Sequence, residues 1–467
     1  MTRATHGLVE RVLEVAASDP TRPALLSLDH ECSYGALAER VGACCLALRH
    51  RGVQPGTTVA FQCADEFPHL TLSLALMALG CRQLAVASHE SGQAGQSLAL
   101  QAGASLFLQD GDAVELAAHN PASPASGAPA NAGWLYLSTS GTTGRPKVVM
   151  MQEQDLVAQA PRHILGPQER FACMASVEHN FAKRHRLYCL AMGATTVFLP
   201  TDRKRFVDAC LLLGVTTLHV SVFQAQELLG LDQVARLRGI RLKLGGSHAS
   251  HALRQALIEQ VTPALYAGYG TTETGAIGFA EPDEHASASV GRPLPGLQVQ
   301  IVDALRQPLP QGERGEVAVC GQGLFRGYLN EPELTRQQCE AGWFYTGDIG
   351  ELDAKGRLTL SGRADDMFVF NSMNIYPQEL EAVIREFPGV QAAAVFPRPS
   401  ATHGGIPVAL VESADPALDL KALRRFVQER VGLRCPRQFL RVHDIPRNSA
   451  GKIRRERLSV IAGGGSP

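Results

Sequence analysis

The stretch Ser138-Thr-Ser-Gly-Thr-Thr-Gly-Arg-Pro-Lys147 follows the apolar run Trp134-Leu-Tyr-Leu137, which predicts a buried strand ending at a polar loop. Gly141 and Gly144 let backbone N–H groups approach an anion closely. Five hydroxyls supply donors, and Lys147 closes the loop with a mobile positive charge. An ordinary turn between elements has the same Ser/Thr/Gly composition; the alternative is a phosphate-binding loop. It is not the loop of P-loop nucleotide hydrolases, in which Gly precedes the lysine and a Ser or Thr that holds Mg²⁺ follows it. Here Pro146 and Val148 stand at those positions.

Around this loop the composition is that of a soluble globular protein. A chain of 467 residues accommodates two or three domains. A formal charge of −1 provides no basic field that would make nucleic acid a main partner. Eleven cysteines, beginning with Cys32, Cys44 and Cys45, show neither CxxC pairs nor metal-ligand spacing, which points to reduced thiols and a cytoplasmic setting. Met1 to His6 lack the apolar core of a secretion signal, and the apolar stretch around Leu70 to Leu79 is too short to span a bilayer. Lysine is scarce. Of Lys147, Lys183, Lys204, Lys243, Lys355, Lys421 and Lys452, those kept inside Gly-rich polar segments are candidates for a required ammonium; the rest read as solvated surface.

Residues 8–18 and 35–50 carry helical spacing, with Ser33 as the N-cap of the second. Strand-like 57–62 and 83–86 flank helix-like 70–79, and strand-like 194–199, 216–220 and 242–244 follow the loop. This alternation predicts βαβ units on a largely parallel sheet, an α/β class. From Gly291 short β runs punctuated by Gly and Pro predict a small β subdomain, and the last hundred or so residues read as a compact α+β unit.

Five more segments are unusually polar: Tyr266 to Gly275, Gly342 to Asp348, Ser361 to Asp366, Asn448 to Arg455 and Glu178-His-Asn-Phe181. Each alone has an ordinary structural explanation. As an ordered set, the loop with Tyr269-Gly-Thr-Thr-Glu273, Tyr345-Thr-Gly-Asp348, Gly362-Arg-Ala-Asp-Asp366 and Asn448-Ser-Ala-Gly-Lys452 resembles the adenylate-forming superfamily of acyl- and aryl-CoA synthetases, peptide-synthetase adenylation domains and luciferases. The resemblance runs from Ser33 to Lys452.

The resemblance implies a multidomain α+β architecture. Residues 1–364 form a large N-terminal domain of α/β layers, with a β subdomain at about 290–361, and 365–467 form a mobile C-terminal lid. It implies that a carboxylate attacks Mg·ATP to give an acyl-AMP and that a thiol, on coenzyme A or on the phosphopantetheine of an acyl carrier protein, then displaces AMP. Thr139, Ser140, Gly141, Thr142, Thr143 and Lys147 would hold the β- and γ-phosphates; Tyr269, Gly270, Thr271 and Thr272 would lie along the nucleotide, with Tyr269 near adenine. Glu273 would hold Mg²⁺, and Asp348 and Arg363 would meet the ribose. Lys452 would bridge the attacking carboxylate and the α-phosphate, with His179 also at the reacting end, and Asp365 would be the hinge.

The acid pocket implied by the family contains His179, Asn180, Ser247, His248 and Gly268. An α-amino acid is disfavoured because no Asp stands here to pair with its ammonium; the His-Asn pair is similar to that in enzymes activating benzoate-like acids and also occurs in fatty-acid activators. Lys183-Arg-His-Arg186 reads as a solvated helix face, or else as a site for a second carboxylate or phosphate on the substrate or for an acidic carrier protein. Ser372 departs from a family glycine beside the thiol tunnel, while Asn374 matches several aryl-acid ligases. Alternatives are an adenylating enzyme serving a dedicated carrier or an amine, and, from another class, a nucleotide-binding protein without turnover.

Overall fold

The computed structural model describes residues 7–88, 92–118, 132–139, 147–247, 249–284, 288–371, 373–400, 403–448 and 451–463. Ser140 to Pro146, His248 and Ser372 lie outside the described residues.

The expected βαβ texture builds two sheets. In one, Leu106–Leu108, Thr58–Phe61, Arg82–Ala85 and Trp134–Thr139 run parallel, and Lys147–Gln152 closes the order antiparallel to its neighbour. In the other, nine described strands run in the order Arg292–Pro293, Gly275–Ala280, Leu265–Thr271, Arg241–Gly245, Thr217–Ser221, Arg170–Cys173, Thr195–Val197, Pro23–Leu26 and Glu31–Ser33. Its middle is parallel. Helices Leu8–Ser18, Tyr34–His50, Glu66–Ala78, Glu153–His163 and Asn180–Ala191 supply much of the largest apolar core. Ser33 caps the second of them, accepting from Ala36 N–H at 3.2 Å as its position predicts. The Tyr34 hydroxyl donates to the Ala194 carbonyl at 2.8 Å and ties that helix to the nine-stranded sheet.

The alternation along the central strands decides what the site is made of. Leu218, Val220, Leu242 and Leu244 join an apolar cluster with helices Arg203–Leu212, Val222–Leu229 and His251–Gln260. Side chains alternate across a sheet, so His219 and Lys243 face the other way, toward helices Glu153–His163 and Asn180–Ala191. The Lys183 to Arg186 run is not a solvated face. All four side chains are buried, between 1% and 5% exposed, because the helix is packed on more than one side and has no water-facing stripe in this turn.

Leu297–Val302, Gly315–Gly321, Trp343–Leu352, Cys339–Glu340 and Leu358–Arg363 form an antiparallel sheet in the predicted β region. Phe368–Phe370, Met373–Ile375, Ala392–Ser400, Gly404–Glu412 and Gln438–Val442 form a further sheet, antiparallel except that Gln438–Val442 runs parallel to Gly404–Glu412, and helices Pro377–Arg385 and Leu420–Val431 share an apolar core with it.

Phe279 is locked in place by two glycines. A Cβ on Gly268, its register partner, would lie 2.4 Å from the Phe279 ring. At Gly291, where φ is +83°, a Cβ would lie 1.8 Å from the Phe279 carbonyl oxygen. Gly291→Ala combines backbone strain with a backbone clash and is expected to lower the thermal unfolding midpoint by at least about 5 °C. An unchanged midpoint by circular dichroism would show that this strand can move aside.

Candidate active site

The loop joins two paired strands. Thr139 and Lys147 are register partners, and the Thr139 hydroxyl donates to the Lys147 carbonyl at 3.3 Å. No helix starts after Lys147, so an anion held here gains nothing from a helix dipole, unlike one in a P-loop. Lys147 Nζ lies 5.7 Å from the centre of the Tyr328 ring. The Tyr328 hydroxyl is 2.8 Å from Glu273 Oε1 and 2.5 Å from Gln338 Oε1. Its single proton serves one of them at a time.

Tyr328 therefore joins the loop lysine to the acid of the Tyr269–Glu273 segment, and the sequence reading missed it. Its segment is held along strand Lys147–Gln152 by Arg326 N–H to Met150 O at 2.8 Å, Met150 N–H to Gly327 O at 3.0 Å and Leu329 N–H to Val148 O at 2.8 Å. Arg326 also grips buried Asp155 with two hydrogen bonds, at 2.9 and 2.7 Å. The available signal was Phe325-Arg-Gly-Tyr328, a glycine between an arginine and an aromatic; Gly327 has φ +124°.

Glu273 is half-buried in the turn between Leu265–Thr271 and Gly275–Ala280, a hairpin where the sequence predicted only a turn. Thr271 and Thr274 exchange hydrogen bonds across it, and Arg184 donates to the Thr272 carbonyl at 2.7 Å. Gly270 is required by packing, since a Cβ would lie 2.2 Å from the Gly275 oxygen.

A second group gathers on Asp348. This residue lies inside Trp343–Leu352 rather than at a strand end, and it is not an unpaired carboxylate. Tyr269 donates its hydroxyl to Oδ2 at 2.5 Å, and Arg363 Nη1 is 3.5 Å from Oδ1. Arg363 also donates to the Thr346 carbonyl at 2.6 Å and pairs with exposed Asp365 at 3.0 Å. Burial raises the Asp348 carboxyl above its usual range, against the pull of Arg363, Tyr269 and Lys452. Burial, reinforced by Asp348, pushes the Tyr269 phenol well up.

Lys452 adds a smaller favourable influence on Asp348 than Arg363 and Tyr269. The Lys452 N–H donates to Asn448 Oδ1 at 3.0 Å, and its side chain is exposed. Gly451, at φ +77°, rests on Phe223, where a Cβ would come within 3.0 Å. Asn374 is exposed, paired in register with Val369.

Of the expected acid pocket, Asn180 donates to the Ser138 carbonyl at 2.5 Å, at the end of the strand feeding the loop. His179 is the N-cap of helix Asn180–Ala191, Ser247 is exposed just beyond Arg241–Gly245, and Gly268 lies under Phe279. The site gathers at the carboxyl ends of the parallel strands, where open α/β sheets place their ligands.

Residues 12–329 match the family described as AMP-binding enzyme, and residues 379–452 match the AMP-binding enzyme C-terminal domain. The chain belongs to this family of adenylate-forming enzymes. It is 29% identical to the sulfoacetate–CoA ligase of Cupriavidus necator over 486 aligned positions, covering 95% of each chain. It is 33% identical to the 2-succinylbenzoate–CoA ligase of Geobacillus kaustophilus over 340 residues, 69% of this chain and 68% of the relative. Among solved structures it resembles the amide bond synthetase McbA from Marinactinospora thermotolerans, with TM-score 0.84 and 26% identity, covering 97% of this chain and 99% of that one.

The Asp348 environment predicts a pH signature. A carboxyl whose pKa is raised by folding is tolerated when protonated and destabilises the fold once pH passes its folded-state pKa. Asp348→Asn removes that charge and keeps an acceptor for Tyr269. The variant's gain in thermal midpoint over wild type is expected to grow from pH 4 to pH 7, while nucleotide affinity falls; a gain that shrinks with pH would reverse this account.

Proposed function

We propose that this chain uses ATP to convert a non-amino carboxylic acid to its acyl-AMP and then passes the acyl group to a thiol. The observation that carries this reading is the convergence of two groups: Lys147, Tyr328 and Glu273 suit the triphosphate, and Tyr269, Asp348 and Arg363 suit the nucleoside.

Carboxylate and triphosphate repel each other, so the first step needs cations and oriented donors. Lys147, with Thr139 and the loop residues Ser140, Gly141, Thr142 and Thr143, is assigned to the β- and γ-phosphates, and Thr272 to the neighbourhood of the α-phosphate. Glu273 fits a magnesium ligand, as a half-buried carboxylate with one oxygen near Tyr328. Mg²⁺ bound there would neutralise phosphate charge. Lys452 is assigned to the reacting carboxylate: its oxygen attacks the α-phosphorus, the α–β anhydride bond breaks, and pyrophosphate leaves. The thiolate sulfur then attacks the acyl carbon, and AMP leaves. Arg363 and Asp348 would hold the ribose through both steps.

We divide the chain at Asp365, with 1–364 holding the cradle and 365–467 acting as a lid. Asp365 is the hinge and is linked to Arg363 in this arrangement. His179, Asn180, Ser247, His248 and Gly268 are assigned to the acid, Ser372 and Asn374 to the thiol entrance. Coenzyme A is the favoured acceptor, since both curated relatives described above are named as CoA ligases. Sulfoacetate and 2-succinylbenzoate are non-amino acids. An acyl carrier protein, or an amine as in the amide bond synthetase, is the second reading. Eleven free thiols support a reducing compartment such as the cytoplasm. Among the described residues no helix is long and apolar enough to cross a membrane.

Acid-dependent exchange of pyrophosphate into ATP tests the reading, with CoA, carrier protein and amine compared as acceptors afterwards. Lys452→Ala is expected to lower exchange about 10²–10³-fold while ATP affinity changes far less. Undiminished exchange would remove Lys452 from the first step.

A further inference from the structure

The layer between the nine-stranded sheet and helices Glu153–His163 and Asn180–Ala191 buries more positive than negative charge. Arg162, Lys183, Arg184, Arg186 and Lys243 are all at most 8% exposed. Arg186 is met by Glu66 at 3.3 Å, and buried Glu169 is met by Arg241 at 3.5 Å. Arg184 and Arg162 donate to the Thr272 and Thr274 carbonyls, on either side of Glu273.

Lys243 is different. Its ammonium donates to the His163 carbonyl and faces the Phe279 ring, 5.2 Å from the ring centre, with no ion pair among the described residues. On the next strand its register partner is His219, which is 2% exposed and has no hydrogen-bond partner on either ring nitrogen. His163 accepts the Ala276 N–H at Nε2, 3.3 Å away, so the neutral ring carries its proton on Nδ1, which has no partner. Burial, with neighbouring cations, holds His163 and His219 well below the usual histidine range, so both rings are neutral. Burial pushes Lys243 down to about 8, which leaves its ammonium largely protonated at neutral pH. An ammonium with one carbonyl acceptor and two imidazole N–H groups with none therefore lie in one buried layer. Among the described residues no group of three His, Cys, Asp or Glu side chains could hold a metal ion.

This place adjoins the acid site. Phe279, which Lys243 faces, covers Gly268, and Ala276, which His163 receives, lies three residues after Glu273. We propose that the acid activated here carries a second oxyanion, a carboxylate or a sulfonate, and that Lys243 pairs with it while His219 and His163 donate hydrogen bonds. This rests on the acid-activation reading above and narrows its substrate class. Buried Glu169 also acts on Lys243, but it is held by Arg241; a diacid supplies the ammonium with a direct partner, and a mono-acid does not.

The test is pyrophosphate exchange by the full chain with malonate, succinate, glutarate and phthalate, each against its own monoamide. At least one diacid is expected to exceed its monoamide about 10²-fold or more in kcat/KM. Lys243→Met should collapse that ratio to within about tenfold, through KM more than kcat, and Lys243→Arg should restore part of it. His219→Asn should reduce the ratio less. A general packing defect would lower both substrates together and leave the ratio standing. A wild-type preference for monoamides, or an undiminished ratio in Lys243→Met, overturns the second-anion seat and leaves acid activation intact. The wild-type comparison decides even where a variant fails to fold. Exchange with no acid of either kind overturns both.

Discussion

Arg184 reaches out of its helix to the Thr272 carbonyl at 2.7 Å, and the geometry of the site depends on this contact. A buried guanidinium must find oxygen, and a hydrogen bond from a charged donor is worth about 1.5–3 kcal/mol. One turn earlier in the same helix, Asn180 holds the Ser138 carbonyl. The two residues are four apart, about 6 Å along a helix axis. A single rigid element thus sets the spacing between strand Trp134–Thr139 and the turn that carries Glu273. The arrangement suits a reaction between two anions, because the reacting groups are positioned by the scaffold rather than by their own attraction.

Tyr328 and Tyr269 play parallel parts. Each presents a buried phenol to a carboxylate, Glu273 in one case and Asp348 in the other, and each phenol is pushed up by burial and by that neighbouring charge. Both remain donors across the working pH range. Each carboxylate has one oxygen oriented by its phenol, and the other oxygen of Asp348 faces Arg363. Asp348 keeps its carboxylate in a setting whose burial opposes its charge.

Much of this was legible in the sequence because it is local. Alternation of apolar and turn residues located the strands, with ends shifted by a few residues, and the ordered Gly-rich and acidic segments identified the family. What stayed hidden is relational. Tyr328 matters only because its segment lies along strand Lys147–Gln152, some 180 positions earlier in the chain. The Lys183 to Arg186 run has the composition of a surface, and nothing local reveals that helix and sheet enclose it. His219 and Lys243 sit in short apolar runs and become neighbours through parallel strand pairing across a crossover.

The free cysteines acquire a meaning from the chemistry. Nine of the eleven are buried, and burial pushes Cys44, Cys45, Cys63 and Cys210 up to about 12. Only a thiolate attacks an activated acyl group efficiently. An enzyme that makes a mixed anhydride, designed to be taken by sulfur, has to keep its own sulfur from competing. Here close packing keeps these core thiols protonated.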